Sequence, residues 1–98
     1  MAGPESLFRK RVDAALKKLP NGYFEGIHQG AIRGSPDKLG VVTGSFVALE
    51  LKARDGRVHP LQAMKLLKYE EAGALVFLAN PTNWEEIWST LVRLSRES

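Results

Sequence analysis

Two periods run through the hydrophobic and polar positions of this chain, and together they predict seven elements. Leu7, Phe8, Val12, Ala15, Leu16 and Leu19 recur at helical spacing. Pro4 suits the first position of that helix and Glu5 its first turn, where a carboxylate meets the positive end of the dipole. Arg9, Lys10, Lys17 and Lys18 fall off the apolar stripe or on its border, and Pro20-Asn21-Gly22 ends it. Tyr23–His28 reads as a short strand and Gln29–Lys38 as a loop. Leu39–Thr43 and Phe46–Lys52 read as a strand pair turning through Gly44-Ser45. Alternation puts Phe46, Ala48, Glu50 and Lys52 on one face and Val47, Leu49 and Leu51 on the other. After the polar turn Arg54–Arg57, Pro60 opens a second helix. Leu61, Met64, Leu66 and Leu67 are expected to face inward from it, with Gly73 at its C-terminal end. Ala74–Asn80 is nearly all apolar, which predicts a central strand buried on both faces. Thr82 and Glu85 have capping-box spacing, and Trp84, Ile87, Trp88, Leu91 and Val92 follow at helical spacing.

The predicted order is αβββαβα, an α/β fold with a mixed central sheet flanked by helices. Its 98 residues, 44% hydrophobic and 26% charged, suit one globular domain spanning 1–98. A chain this short buries only about 60–65% of its unfolded surface, so the core is thin and dimerisation would help it. There is no cysteine, which removes disulfides, thiolate metal sites and cysteine nucleophiles together. No apolar run approaches the roughly 20 residues that span a bilayer, and charges interrupt the N-terminus. The expectation is an intracellular, cytoplasmic protein without a membrane partner, of cellular or phage origin. Neither Gly30, Gly34 nor Gly40 stands in phosphate-loop spacing, so no nucleotide cofactor is expected.

Charge changes the picture. Residues 1–68 hold twelve of the 14 basic residues and six of the 11 acidic ones, a net of +6, whereas residues 69–98 carry −3. One face suited to a polyanion and one turned away would produce this split, as would an ordinary set of solvated lysines.

Candidate chemistry centres on Pro36-Asp37 and, thirteen positions after Asp37, Glu50-Leu51-Lys52. Glu50 and Lys52 project from one strand face at ~6–7 Å spacing. If Asp37 begins the partner strand, the hairpin brings its carboxylate beside Glu50. Two close carboxylates repel, and a hard divalent cation resolves that repulsion. The Leu51 carbonyl between them is a third available oxygen. The plainer reading of Glu50 and Lys52 is an exposed salt bridge.

These motifs, in this element order, resemble the PD-(D/E)XK nuclease superfamily. Gly34-Ser35-Pro36-Asp37, Gly44–Lys52, Gly56-Arg57, Pro60-Leu61-Gln62 and Ala72-Gly73 look like its VRR-NUC branch, across about half the chain. The chain is also similar to the small homodimeric Holliday-junction resolvases of archaea and phages. The resemblance implies a restriction-endonuclease-like fold and a Mg²⁺-dependent, structure-specific endodeoxyribonuclease, with Mn²⁺ able to substitute. The implied metal ligands are Asp37, Glu50 and the Leu51 carbonyl, with Lys52 the catalytic lysine. Water attacks phosphorus in line, leaving a 5′-phosphate and a 3′-hydroxyl. Glu5 matches a first-helix glutamate near the metal, and Gln62 a supporting glutamine on the helix after the lysine strand. Leu66 stands where some exonuclease branches carry tyrosine, which counts against processive exonuclease action.

The implied substrate is branched DNA, above all the four-way junction of recombination and repair, and its two-fold symmetry implies a homodimer. The two tryptophans of the last helix are either core or a dimer surface. Arg33, Lys38, Arg54, Arg57, Lys65 and Lys68 flank the proposed site and are the expected phosphate contacts. A nickase or flap nuclease on other branched DNA, and a non-catalytic DNA-binding accessory protein, remain alternatives. As plainer readings, Glu5 is a helix-dipole contact and Gln62 a solvated side chain. His28 and His59 lack ligand spacing.

Overall fold

In the computed structural model, residues 3–27, 33–53 and 57–97 are described, Glu5 by its backbone only. The order is α1 (Pro4–Leu16), β1 (Gly22–Gly26), β2 (Lys38–Val42), β3 (Ser45–Leu51), α2 (Pro60–Glu71), β4 (Leu75–Ala79) and α3 (Trp84–Ser95). It is the predicted αβββαβα arrangement. Among the described residues the strands form one mixed sheet in the order β1-β2-β3-β4. The first three are antiparallel neighbours, and β4 runs parallel to β3 across the α2 crossover.

Strand alternation determines the layers. Val47, Leu49 and Leu51 of β3 point to one face, where they join Val42, Ala79, and Phe8, Val12 and Leu16 of α1. Trp84, Ile87 and Leu91 of α3 complete this core, with Phe8 set edge-on to Trp84 at 6.3 Å between centroids. Arg11 of α1 pairs with Glu85 of α3, and the Asn21 side chain donates to the Ser95 carbonyl at 2.9 Å. The opposite sheet face receives α2, whose Tyr69 stacks on Phe46 at 5.9 Å. Gly40 allows β1 and β2 to close: a Cβ there would lie 2.4 Å from the Tyr23 carbonyl oxygen and against the Phe24 ring.

Several sequence expectations are corrected. Leu7 is exposed, and α1 ends at Leu16, although Leu19 is still buried by the turn that follows. The hairpin turns through Thr43-Gly44, both at positive φ, and Ser45 already belongs to β3. That two-residue turn matches the twist of the strands it joins. β4 is an edge strand rather than a central one, because among the described residues only β3 pairs with it; Leu75 and Leu78 are exposed. No residue of α2, all of them described, is buried, and Leu61, Met64 and Leu67 face solvent. The helix instead seats a stripe containing Gln62, Lys65 and Tyr69. Thr82 and Glu85 form no capping box: α3 begins at Trp84, and Asn80 Oδ1 accepts the Thr82 and Asn83 amides. Trp84 is buried in the core, and Trp88, half-buried, packs against it.

Candidate active site

The residue before β2 and the last two residues of β3 meet because of register. Lys38 pairs with Leu49, so Asp37 falls beside Glu50 and Leu51. Asp37 Oδ2 accepts the Leu51 amide at 2.8 Å, inside the fold. Its Oδ1 accepts from Arg9 Nη2 at 3.1 Å. Asp37 and Glu50 are 2% and 1% exposed, which decides against the plain surface salt bridge.

Glu50 Oε2 is held from two sides. Lys52 Nζ lies 3.3 Å away, two residues along the same strand face. Gln62 Nε2 donates to it at 2.9 Å from the first turn of α2. The orientation of that amide is fixed, because Gln62 Oε1 accepts the His59 backbone N–H at 3.1 Å. One side chain thus serves a helix start and a buried carboxylate, in place of the solvated alternative. Glu50 Oε1 is also buried but finds no hydrogen-bond partner among the described residues.

Burial, then the nearby negative charge of Asp37, pushes the Glu50 carboxyl up to about 7, with the Lys52 ammonium opposing the shift. A buried carboxyl pushed up by burial against a second carboxylate is an electrostatic arrangement typical of functional sites. Arg9 and Lys52 set positive charge beside the pair. Hard oxygens with one buried lone pair unused suit Mg²⁺, which is held by one or two carboxylates plus waters. Among the described residues no group of three or more His, Cys, Asp or Glu side chains could hold a metal ion, and the Leu51 carbonyl is a further main-chain oxygen beside the two carboxylates.

The structure therefore brings together Asp37, Glu50, Leu51, Lys52 and Gln62. Glu5 lies one helical turn before Arg9 on α1, but its side chain is outside the described residues. Arg54 also lies outside them.

The expected phosphate contacts divide. Arg33 and Arg57 are exposed; Lys65 donates to the Arg33 carbonyl, and Lys68 is exposed in the last turn of α2. Ser35, Lys65, Lys68, Tyr69 and Ala72 line a cavity of about 390 Å³ between α2 and the loop before β2. Lys38 differs. Its Nζ pairs with Asp13 of α1 at 2.6 Å on the opposite side of the sheet, so it is not at the site's face. The sequence reading missed Arg9, whose position on the border of the apolar stripe was its one legible signal. Among the described residues no helix is long and apolar enough to cross a membrane. No protein-family model, curated protein or solved structure matches the chain.

Proposed function

We propose that this protein is a divalent-metal-dependent DNA endonuclease of the PD-(D/E)XK type acting on branched DNA, with the four-way junction as its substrate. The observation that supports this reading best is the buried Asp37–Glu50 pair, with Glu50 Oε1 unpartnered among the described residues and Lys52 3.3 Å from Oε2. Asp37, Glu50 and the Leu51 carbonyl would hold Mg²⁺ or Mn²⁺. Bound there, the ion supplies Lewis acidity towards a phosphodiester and lowers the pKa of water.

The chain's own groups do the rest. Gln62 fixes the carboxylate of Glu50. Lys52 orients the attacking water or stabilises charge on phosphorus as the water oxygen bonds to it and the P–O3′ bond breaks. The 3′-oxygen leaves with a proton, giving a 3′-hydroxyl and a 5′-phosphate. Paired cuts in a two-fold junction need two sites, hence a homodimer.

The test is incubation of a synthetic four-way junction, beside linear duplex, flap and single-strand controls, with Mg²⁺ or with EDTA. Symmetric, Mg²⁺-dependent incision of the junction is expected. Cutting of flaps or nicked duplexes instead retains the chemistry and moves the substrate. Asp37→Asn and Glu50→Gln should each lower kcat by on the order of 10²–10³ or more while DNA binding persists. Cleavage unchanged in either variant removes the metal-site assignment.

The Arg9–Asp37 ion pair favours one second reading, a DNA-binding accessory domain in which Arg9 permanently neutralises Asp37. Absence of cutting on every substrate, with binding intact, would select it.

A further inference from the structure

Arg9 is not needed for packing in the way that Phe8 and Val12 are. Its side chain is 35% exposed, yet its guanidinium reaches into the site and takes Asp37 Oδ1 at 3.1 Å. The other oxygen, Oδ2, is committed to the Leu51 amide. A cation bridging Asp37 and Glu50 would find Glu50 Oε1 without a partner and Asp37 Oδ1 occupied by another positive charge. That oxygen has a second lone pair, but a guanidinium and a dication on the same atom repel each other.

Charge balance sharpens the conflict. With both carboxylates ionised, Asp37 and Glu50 face Arg9 and Lys52, and these four groups sum to zero. A dication entering alone would leave the cluster at +2 in a largely buried setting, where uncompensated charge is costly. Phosphate groups of DNA restore the balance, and a guanidinium pairs with phosphate as well as with carboxylate. A side chain one-third exposed at the rim can make that exchange by rotating outward.

On the strength of the metal site proposed above, we infer that Arg9 is a positioning residue that competes with the metal for Asp37 and is drawn off by a DNA phosphate, so that metal and DNA bind cooperatively. Without DNA, Arg9 keeps Asp37 paired and the metal affinity of the site low. With DNA, Asp37 Oδ1 is released to the metal.

The test is calorimetric titration of Mn²⁺ into the metal-free protein, together with Arg9→Gln, Arg9→Met and Arg9→Lys. Removing one partly exposed ion pair should tighten Mn²⁺ binding by roughly fivefold in the Gln and Met variants. Met keeps the aliphatic stem should Gln disturb folding. Arg9→Lys should bind Mn²⁺ like the wild type, whereas loss of a merely structural contact would move all three variants alike. In a Lys52→Ala background, chosen to suppress incision, an added four-way junction should raise Mn²⁺ affinity more when Arg9 is present than in the Arg9→Gln form. Equal Mn²⁺ affinity with and without the arginine overturns the inference and leaves the metal site standing. No Mn²⁺ binding by any of these chains overturns the metal site and the inference with it.

Discussion

Among the described residues Glu50 is the carboxyl pushed up by burial, and its proton makes a prediction independent of catalysis. Its carboxyl is raised from about 4.5 to about 7, first by burial and then by Asp37. Between those values the folded state binds more protons than the unfolded one, so stability falls as pH rises and levels off above about 7. The full effect is at most about 3 kcal/mol for a shift of this size. Urea denaturation in EDTA at pH 5 and pH 8 should show that loss in the wild type. Glu50→Gln, neutral throughout, should be markedly flatter; parallel behaviour of the two proteins would show that Glu50 is not the group responsible. The pairing of Asp37 with Glu50 was legible because strand period and hairpin register are sequence properties. So was the shared face of Glu50 and Lys52. Arg9 was not, since its contact depends on how α1 docks across the sheet, which no local periodicity encodes. The double use of Gln62 was half legible: a glutamine at the third position of a helix signals a cap, but not a buried carboxylate at its other end.

At the scale of elements, what the sequence misplaces are the features governed by neighbours rather than by local pattern. Ala74–Asn80 has the composition of a central strand, yet it becomes an edge because no further described strand pairs with it. α2 carries four leucine or methionine positions, yet it turns Gln62 and Tyr69 inward, because the face it covers presents Glu50 and Phe46. The hairpin offers a direct test of local strain. Thr43, a β-branched residue, sits at φ 47°, and its hydroxyl is buried without a partner among the described residues. Branching at Cβ disfavours that conformation, and Asn-Gly is the favoured pair for such a turn. Thr43→Asn should therefore raise stability by about 0.5–1 kcal/mol. A chemical denaturation midpoint at or below that of the wild type would mean that the tertiary setting, not the turn, selects threonine.

At the scale of the whole molecule, the proposed substrate makes the charge distribution measurable. The formal charge is +3, but the cations are not equivalent. Arg33, Arg57 and Lys68 are exposed, and Lys65 and Lys68 line the cavity between α2 and the loop before β2. Lys38 is tied to Asp13 on the far side of the sheet, and Arg11 to Glu85. Only a cation that neutralises a phosphate releases condensed counterions, each contributing roughly −0.9 to the slope of log K against log salt on duplex DNA. The four contacts Arg33, Arg57, Lys65 and Lys68 account for about −3.6 of the slope per protomer, to which an Arg9–phosphate pair would add about −0.9. Lys68→Gln should flatten the slope by about 0.9, and Lys38→Gln should leave it unchanged although both remove one positive charge. Fluorescence anisotropy of a labelled junction in EDTA, across a salt series, reads these slopes without cleavage. Equal slope changes for the two variants would mean that net charge, rather than the α2 face, governs binding, and the assignment of that face to DNA would fail.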